Sequence, residues 1–358
     1  MNGEALLKWR DLAKRSCHHN AFLLPEFVTN TWHYLDPGEE DVLLVVEDAL
    51  QGKWLAAGGF HLQQVTRRLA VPHAVATQSR HSYRTGLLLD FQTRSETLDA
   101  LLQYTAAQGS LMQGLEFPSL RLDSVLAREL ESAAARNGQV WEAVPERESP
   151  AVFPHLVNEE YIEERWSKNR RKQLRRQRRS LEQLGEVRLE FIVEAERIST
   201  AVEEFFRLEN LGYKSECKTS CLAQTRDRRF VRSMVMGLAR EGHVVMTELK
   251  CGAKVIASAI NLTAGTTLQA FKIGWDVEFA KSGPGVLHEA ELLLGATRCP
   301  GDLTIFDSCS TADSYIGPIW PERIPIGTGI LCSTPLAAWT RRFCRGARWF
   351  KRSISPWL

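Results

Sequence analysis

Apolar residues recur along this chain in two periods, and the second half shows them most clearly. Residues 187–193 (VRLEFIV) alternate and are β-branched, which predicts a strand. Residues 198–208 place Ile198, Val202, Phe205 and Phe206 on one side of a helix. A polar loop follows, and then residues 227–240 repeat the helical spacing with Phe230, Val231, Met234, Val235 and Leu238. Three strand-like runs come next, 244–250, 255–263 and 266–274, joined by short turns containing Cys251-Gly252 and Ala264-Gly265. Turns that short predict antiparallel hairpins. A Gly-rich loop at 281–285 then opens a helix bearing Val286, Leu287, Ala290, Leu293 and Leu294, and residues 303–307 (LTIFD) form a last strand. The predicted order is strand, two helices, three antiparallel strands, helix, strand.

The first half reads as a hairpin (42–46, then 54–62), helices over 95–107 and 124–136, and a strand near Val140. It too is a mixed sheet-and-helix pattern, with no direct sequence repeat of the second half. Between the halves, the Pro-marked stretch VPERESPAVFP predicts an inter-domain crossing. Residues 158–184 predict one long helix. Asn158 is its N-cap, Glu159, Glu160, Glu163 and Glu164 sit at the positive end of its dipole, and Gly185 stops it. Its narrow apolar stripe is Ile162, Trp166, Leu174, Leu181 and Leu184. The expected organisation is an α/β (α+β) chain: an N-terminal domain over 1–157, a basic connecting helix over 158–185, a C-terminal domain over 186–340 and a basic tail over 341–358.

Composition narrows the classes. With 44% apolar residues and a net charge of +2 over 358 residues, most of the chain is expected to fold, in about two domains. No apolar run approaches the ~20 residues of a membrane span, and the charged N-terminal stretch lacks the apolar core of a signal peptide. A cytoplasmic protein is the expectation. The eight cysteines are scattered, and the Cys217–Cys221 pair has no matching Cys or His pair nearby, so reduced thiols and no metal are expected. The small net charge hides an uneven distribution. Nine residues of Arg165 to Arg179 are basic and none is acidic, and the tail from Thr340 adds six more bases and no acid. Such a stripe suits nucleic acid, a phosphorylated substrate or an anionic membrane surface. A solvated helix between domains has the same pattern.

Four phrases carry a resemblance: RKQLRRQRRSLEQLGEV, FRLENLGYKS, AFKIGWDVEFAKSGPGVLH and FDSCSTADSYIGPIWPER. Together with the element order, they resemble the GNAT acyltransferase superfamily in its BioF-like or CelD-like branch, which is related to the Fem-type aminoacyltransferases. The resemblance is strong over about 160–325. In the first half only NAF…FV and YRTGLLLD support it. It implies two GNAT-like domains, each a mixed, mostly antiparallel sheet flanked by helices. It also implies an acyl-CoA-dependent N-acyltransferase, most simply an acetyltransferase. The acceptor would be a small-molecule or saccharide amine linked to polysaccharide or cell-envelope synthesis. The alternatives are a Fem-type enzyme fed by aminoacyl-tRNA and a non-catalytic binder of anionic polymers.

The residues suit that chemistry. The loop Lys281, Ser282, Gly283, Gly285 and Val286 opens a helix, where free amides and the dipole favour the pyrophosphate of acyl-CoA. The loop departs from the usual GNAT pattern, because Ala280 stands at its first position and Pro284 removes a donor. A tight turn that caps a helix would look alike. Lys272 is a candidate oxyanion stabiliser, and Asp276 or Asp307 a candidate base. A strand-end ion pair and an Asx turn are the corresponding structural roles. Glu209, Tyr213, Lys214 and Trp275 are candidates to line the acceptor side, Tyr213 and Trp275 by the resemblance. A Cys309 nucleophile would need a positioned base, and the nearest in sequence is His288.

Overall fold

Glycines at the predicted hairpin turns adopt the conformation such turns need: Gly252 has φ +58° and Gly265 φ +50°. Around them the computed structural model forms β8 (Val244–Cys251), β9 (Lys254–Ala264) and β10 (Thr267–Trp275), paired antiparallel. It describes residues 3–35, 41–211 and 220–354, with side chains up to 344. In chain order the other elements are α1 (Gly3–Arg15), α2 (Pro25–Tyr34), β1 (Asp41–Glu47), β2 (Trp54–Gln64), β3 (His73–Ala76), β4 (Leu88–Leu89), α3 (Arg94–Ala107), β5 (Gly114–Arg121), α4 (Val125–Arg136), β6 (Val140–Val152), α5 (Glu159–Arg165), α6 (Lys168–Glu182), β7 (Val187–Ile192), α7 (Ala195–Glu209), α8 (Thr225–Arg240), α9 (Pro284–Leu294), β11 (Ile305–Asp307), β12 (Glu322–Cys332) and α10 (Pro335–Ile354).

The contacts divide the chain into two units. The first takes the residues up to Val28, the stretch from β1 to Arg147, and everything from Pro325 onward; the second is chiefly Glu148–Ile324. The first unit orders its strands β1-β2-β3-β5-β12, with β4 beside β2. Its pairings run antiparallel, antiparallel, parallel, antiparallel. The second orders β8-β9-β10-β11-β6 with that same sequence of directions, and β7 adds an outer antiparallel strand. In each, a helix stands between the two parallel strands: α3 in the first and α9 in the second.

This division departs from the sequence-based one. The segment over 158–185 lies inside the second unit, and the segment from Pro325, tail included, belongs to the first. The Pro-marked stretch does hold a change of unit, and it does so as a strand. β6 runs through it to Val152 and changes unit after Arg147. The basic segment is two helices. Trp166 is extended (ψ 126°), Ser167 caps α6 by accepting from Arg170 N at 3.2 Å, and the buried indole of Trp166 donates to Ile319 O at 2.8 Å. A buried Trp with a paired N–H outweighs continuity of the helix. The second unit's core gathers Trp166, Leu174, Leu181, Leu249, Leu268, Leu287, Phe306 and Trp320; the first unit's gathers Phe60, Leu89, Leu98, Leu115, Phe117 and Leu126.

Candidate functional site

A bulge in β10 sorts the predicted residues. Ala270 pairs with Asn261 and Lys272 with Ile260, so Phe271 is the extra residue. Paired residues point to the same side of a sheet. Lys272 and Gly274 therefore share the face of Ile260 and Ser258, and Gln269, opposite Leu262, shares it too. Without the bulge Gln269 and Lys272 would point to opposite faces. Asp307 pairs with Gln269 across the parallel β10–β11 contact and so joins them.

α7 covers that face. A Cβ on Gly274 would lie 2.5 Å from Glu209 N, so the end of α7 rests directly on β10 and brings Glu209 to the same side. Glu209 is buried, and its Oε2 accepts from Cys221 N at 2.9 Å. Burial pushes the Cys221 thiol up to about 12; the nearby Lys272 ammonium pulls the other way and the Glu209 carboxylate adds to the rise. Lys272, Glu209 and Cys221 are thus close neighbours, and Cys221 is a thiol at neutral pH. Lys272 Nζ also lies 5.4 Å from the centroid of the bulged Phe271 ring. Tyr213, Lys214 and Cys217 lie outside the described residues.

Asp307 ends β11 and is buried. Its Oδ1 accepts from Ser149 Oγ at 2.9 Å and from Cys309 N at 2.8 Å, the second bond closing an Asx turn in which Cys309 has φ +54°. β11 pairs with β10 over only three residue pairs, 267–269 with 305–307, while β10 continues to Trp275. Beyond the Gln269–Asp307 pair the parallel strands part.

The glycine loop lies on the opposite face. Trp275 pairs with Ala257, and a Cβ on Gly285 would meet its ring at 3.1 Å. Gly283 has φ +57° and precedes α9 with no side-chain cap. Its amide donates to Ala280 O and Pro284 has none, while the first bond along α9 is Leu287 N to Gly283 O. That leaves the amides of Gly285 and Val286 at the helix start. Lys281 is exposed and Ser282 buried. α6 packs on the loop, with Gln177 Nε2 2.5 Å from where a Gly283 Cβ would be. Asp276 holds the loop's base: it is buried, its Oδ1 caps the turn at Glu278 N (3.0 Å), and its Oδ2 pairs with Lys254 at 2.9 Å. His288 is fully buried on this face and reaches Thr247 Oγ1 at 2.9 Å, away from the Asp307 side. A separate cavity of ≈460 Å³ between α5, α6 and α9 is lined by Ile162, Trp166, Leu174, Arg175 and Leu287, and not by Lys272, Asp276, Asp307, Glu209 or the 281–286 loop.

Three residues of this constellation were not candidates from the sequence: Gln269, Ser149 and Gln177, although the last two fall within stretches that stood out for other reasons. Only pairing across strands or packing of distant elements brings them in.

In this unit the parallel pair of a mixed sheet parts beside a helix N-terminus. The family profile described as Acetyltransferase (GNAT) domain matches residues 168–315, so this segment is a GNAT domain. No curated protein sequence matches the chain. Among solved structures the whole chain has the fold of FemX, at 11% identity and TM-score 0.58 over 94% of this chain and 98% of that one. It likewise resembles the C-terminal domain of a putative lysylphosphatidylglycerol synthetase from Agrobacterium fabrum (12%, 0.56, 95% of each chain) and L-PGS from Bacillus licheniformis (11%, 0.51, 99% of this chain and 97% of that one). At these identities the likeness is one of fold.

Proposed function

We propose that the second unit transfers an acyl group from acyl-CoA to an amine, threading the thioester through the opening between β10 and β11. The observation that carries this is the parting of those strands just past the Gln269–Asp307 pair. It joins a face with helix-terminal amides to a face with Lys272, Asp307 and Glu209. On the first face, Gly285 and Val286 amides, Lys281 and the Gln177 amide would hold the pyrophosphate. On the second, the amine nitrogen bonds to the acyl carbon, the C–S bond breaks, and coenzyme A leaves as thiolate. Asp307, oriented by Ser149 and Cys309 N, takes the amine proton, and Lys272 stabilises the oxyanion. Asp276 is a positioning residue that anchors the loop. Glu209 lines the acceptor side, and the acceptor belongs to cell-envelope or polysaccharide chemistry.

A second donor, aminoacyl-tRNA, is favoured by one observation. α6, packed on the glycine loop, exposes Lys168, Lys172, Arg175, Arg176 and Arg179, whereas Arg171 and Arg178 are paired with Glu163 and Glu291. A row of exposed cations suits a phosphate backbone.

The test is turnover of amine acceptors with acetyl-CoA and with aminoacyl-tRNA, for the wild type and Asp307→Asn. Asp307→Asn should remain folded and lose about 10²–10⁴-fold in kcat at saturating donor. Transfer from aminoacyl-tRNA alone moves the assignment to the second donor. Unchanged kcat in Asp307→Asn removes Asp307 as base.

A further inference from the structure

α10 presents its large apolar residues to solvent and turns a charge inward. On its packed side Ala337 is fully buried against Leu69, Val71, Ile330 and Cys332. Arg341, also buried, makes a bidentate pair with Glu142 (both 2.8 Å) and donates to Arg68 O at 3.1 Å. On the other side Leu336, Trp339 and Phe343 are 54%, 64% and 68% exposed, and the Trp339 and Phe343 rings stack at 6.0 Å. Their i, i+3, i+7 spacing makes them one stripe. Single exposed apolar residues are ordinary, but a contiguous stripe holding two aromatic rings is not. Beside it Arg342 is exposed, and the sequence from Arg342 has five basic residues and no acidic one.

We propose that α10 is an interfacial helix that seats this stripe in the headgroup region of an anionic lipid bilayer. The charge is complementary to anionic headgroups, and Trp and Phe rings flanked by arginine suit the apolar–polar boundary. The Arg341–Glu142 pair fixes the helix on its unit so that the stripe faces outward. No helix among the described residues is long and apolar enough to cross a membrane. A nucleic acid would use the same cations but leaves the aliphatic Leu336 without a role. This inference does not depend on the acyl donor.

The experiment is co-sedimentation of the full chain with phosphatidylcholine vesicles, with and without phosphatidylglycerol. The expected result is binding to the phosphatidylglycerol vesicles only, weakened by salt. The Trp339→Ser/Phe343→Ser variant should lose about tenfold or more in partitioning, equivalent to ~1.4 kcal/mol, with an unchanged circular dichroism spectrum. Arg342→Glu should weaken binding and flatten its salt dependence. Equal partitioning of wild type and the double variant, or no vesicle binding, overturns the proposal. So does a concentration-dependent oligomer that the double variant abolishes, because the stripe would then be covered by a second copy.

Discussion

Gly274→Ala tests whether the contact between α7 and β10 builds the site. Nothing in the backbone of Gly274 forbids a side chain, so the effect is steric alone. The new Cβ would lie 2.5 Å from Glu209 N, 2.8 Å from Glu209 Cα and 3.0 Å from the Leu208 carbonyl carbon. All three are helix backbone and none can rotate away. Restoring ordinary contact requires the end of α7 to move by about 1 Å in a close-packed interior. Overpacking of this kind costs about 1–3 kcal/mol, set against a gain of about 0.4–1 kcal/mol from the stiffer unfolded chain. Because Glu209 is the displaced residue, a shift of ~1 Å should also lower kcat/KM by up to about 10²-fold. Urea denaturation followed by fluorescence, with steady-state kinetics on the same preparations, reads both. Gly285→Ala is the contrast, since its Cβ meets the Trp275 ring at 3.1 Å and a side chain yields more readily than a helix. Stability within ~0.5 kcal/mol of wild type together with unchanged kinetics in Gly274→Ala would refute the role given to this contact.

Two further outcomes follow from burial. Trp166→Ala should cost about 3–5 kcal/mol in the second unit, and Trp166→Phe about 1 kcal/mol through the lost bond to Ile319 O; a loss below ~1 kcal/mol in the alanine variant would show that the break between α5 and α6 does not rest on this indole. His18 is fully buried against Gly86, and burial lowers its pKa from 6.5 to about 4, with a backbone hydrogen bond to Thr85 opposing the shift. The unfolded chain therefore binds a proton below pH 6.5 that the folded chain refuses until about pH 4, so stability is full above 6.5 and falls by roughly 3 kcal/mol toward pH 4. His18→Gln should flatten thermal stability across that window, and parallel profiles for wild type and variant would sink the argument.

The strands with strong alternation and the helices with a continuous apolar face were legible in the sequence: β8 to β10, α7, α8 and α9 fall within a few residues of their expected bounds. β5 and β12 were not. Pro118, Pro325, Gly327 and Gly329 interrupt them, and tertiary contacts require those residues, as where a Cβ on Gly329 would meet the Trp141 ring. The candidate site was half legible. Lys272, Asp276, Asp307 and the glycine loop stand out as polar punctuation at strand ends. Which face each occupies depends on a bulge, whose mark is a shift of phase: Leu268 and Ala270 flank Gln269, and after the doubled Ala270-Phe271 the alternation resumes with Ile273 and Trp275 against Lys272 and Gly274. Simple alternation placed Lys272 beside Gly274, but Gln269 joins them only because Phe271 is skipped.

The shared run of strand directions raises the question of why the glycine loop belongs to one unit alone. In the first unit the helix between the parallel strands is α3, and the chain just before it carries Asp90. That carboxylate is fully buried, and its Oδ1 accepts from the amides of Gln92 and Thr93. The two amides at the approach to α3 are thus already taken by an internal anion, and Arg15 and Lys53 neutralise it. In the second unit the corresponding helix, α9, starts at Gly283 and Pro284 with no side chain folded back on its amides. Neither helix has a side-chain cap, so what differs is the approach: a buried, paired carboxylate stands before α3, whereas Gly283, with φ +57°, stands before α9. The proposed function accordingly puts the donor's anionic group at α9, whose approach from Ala280 to Gly283 carries no carboxylate.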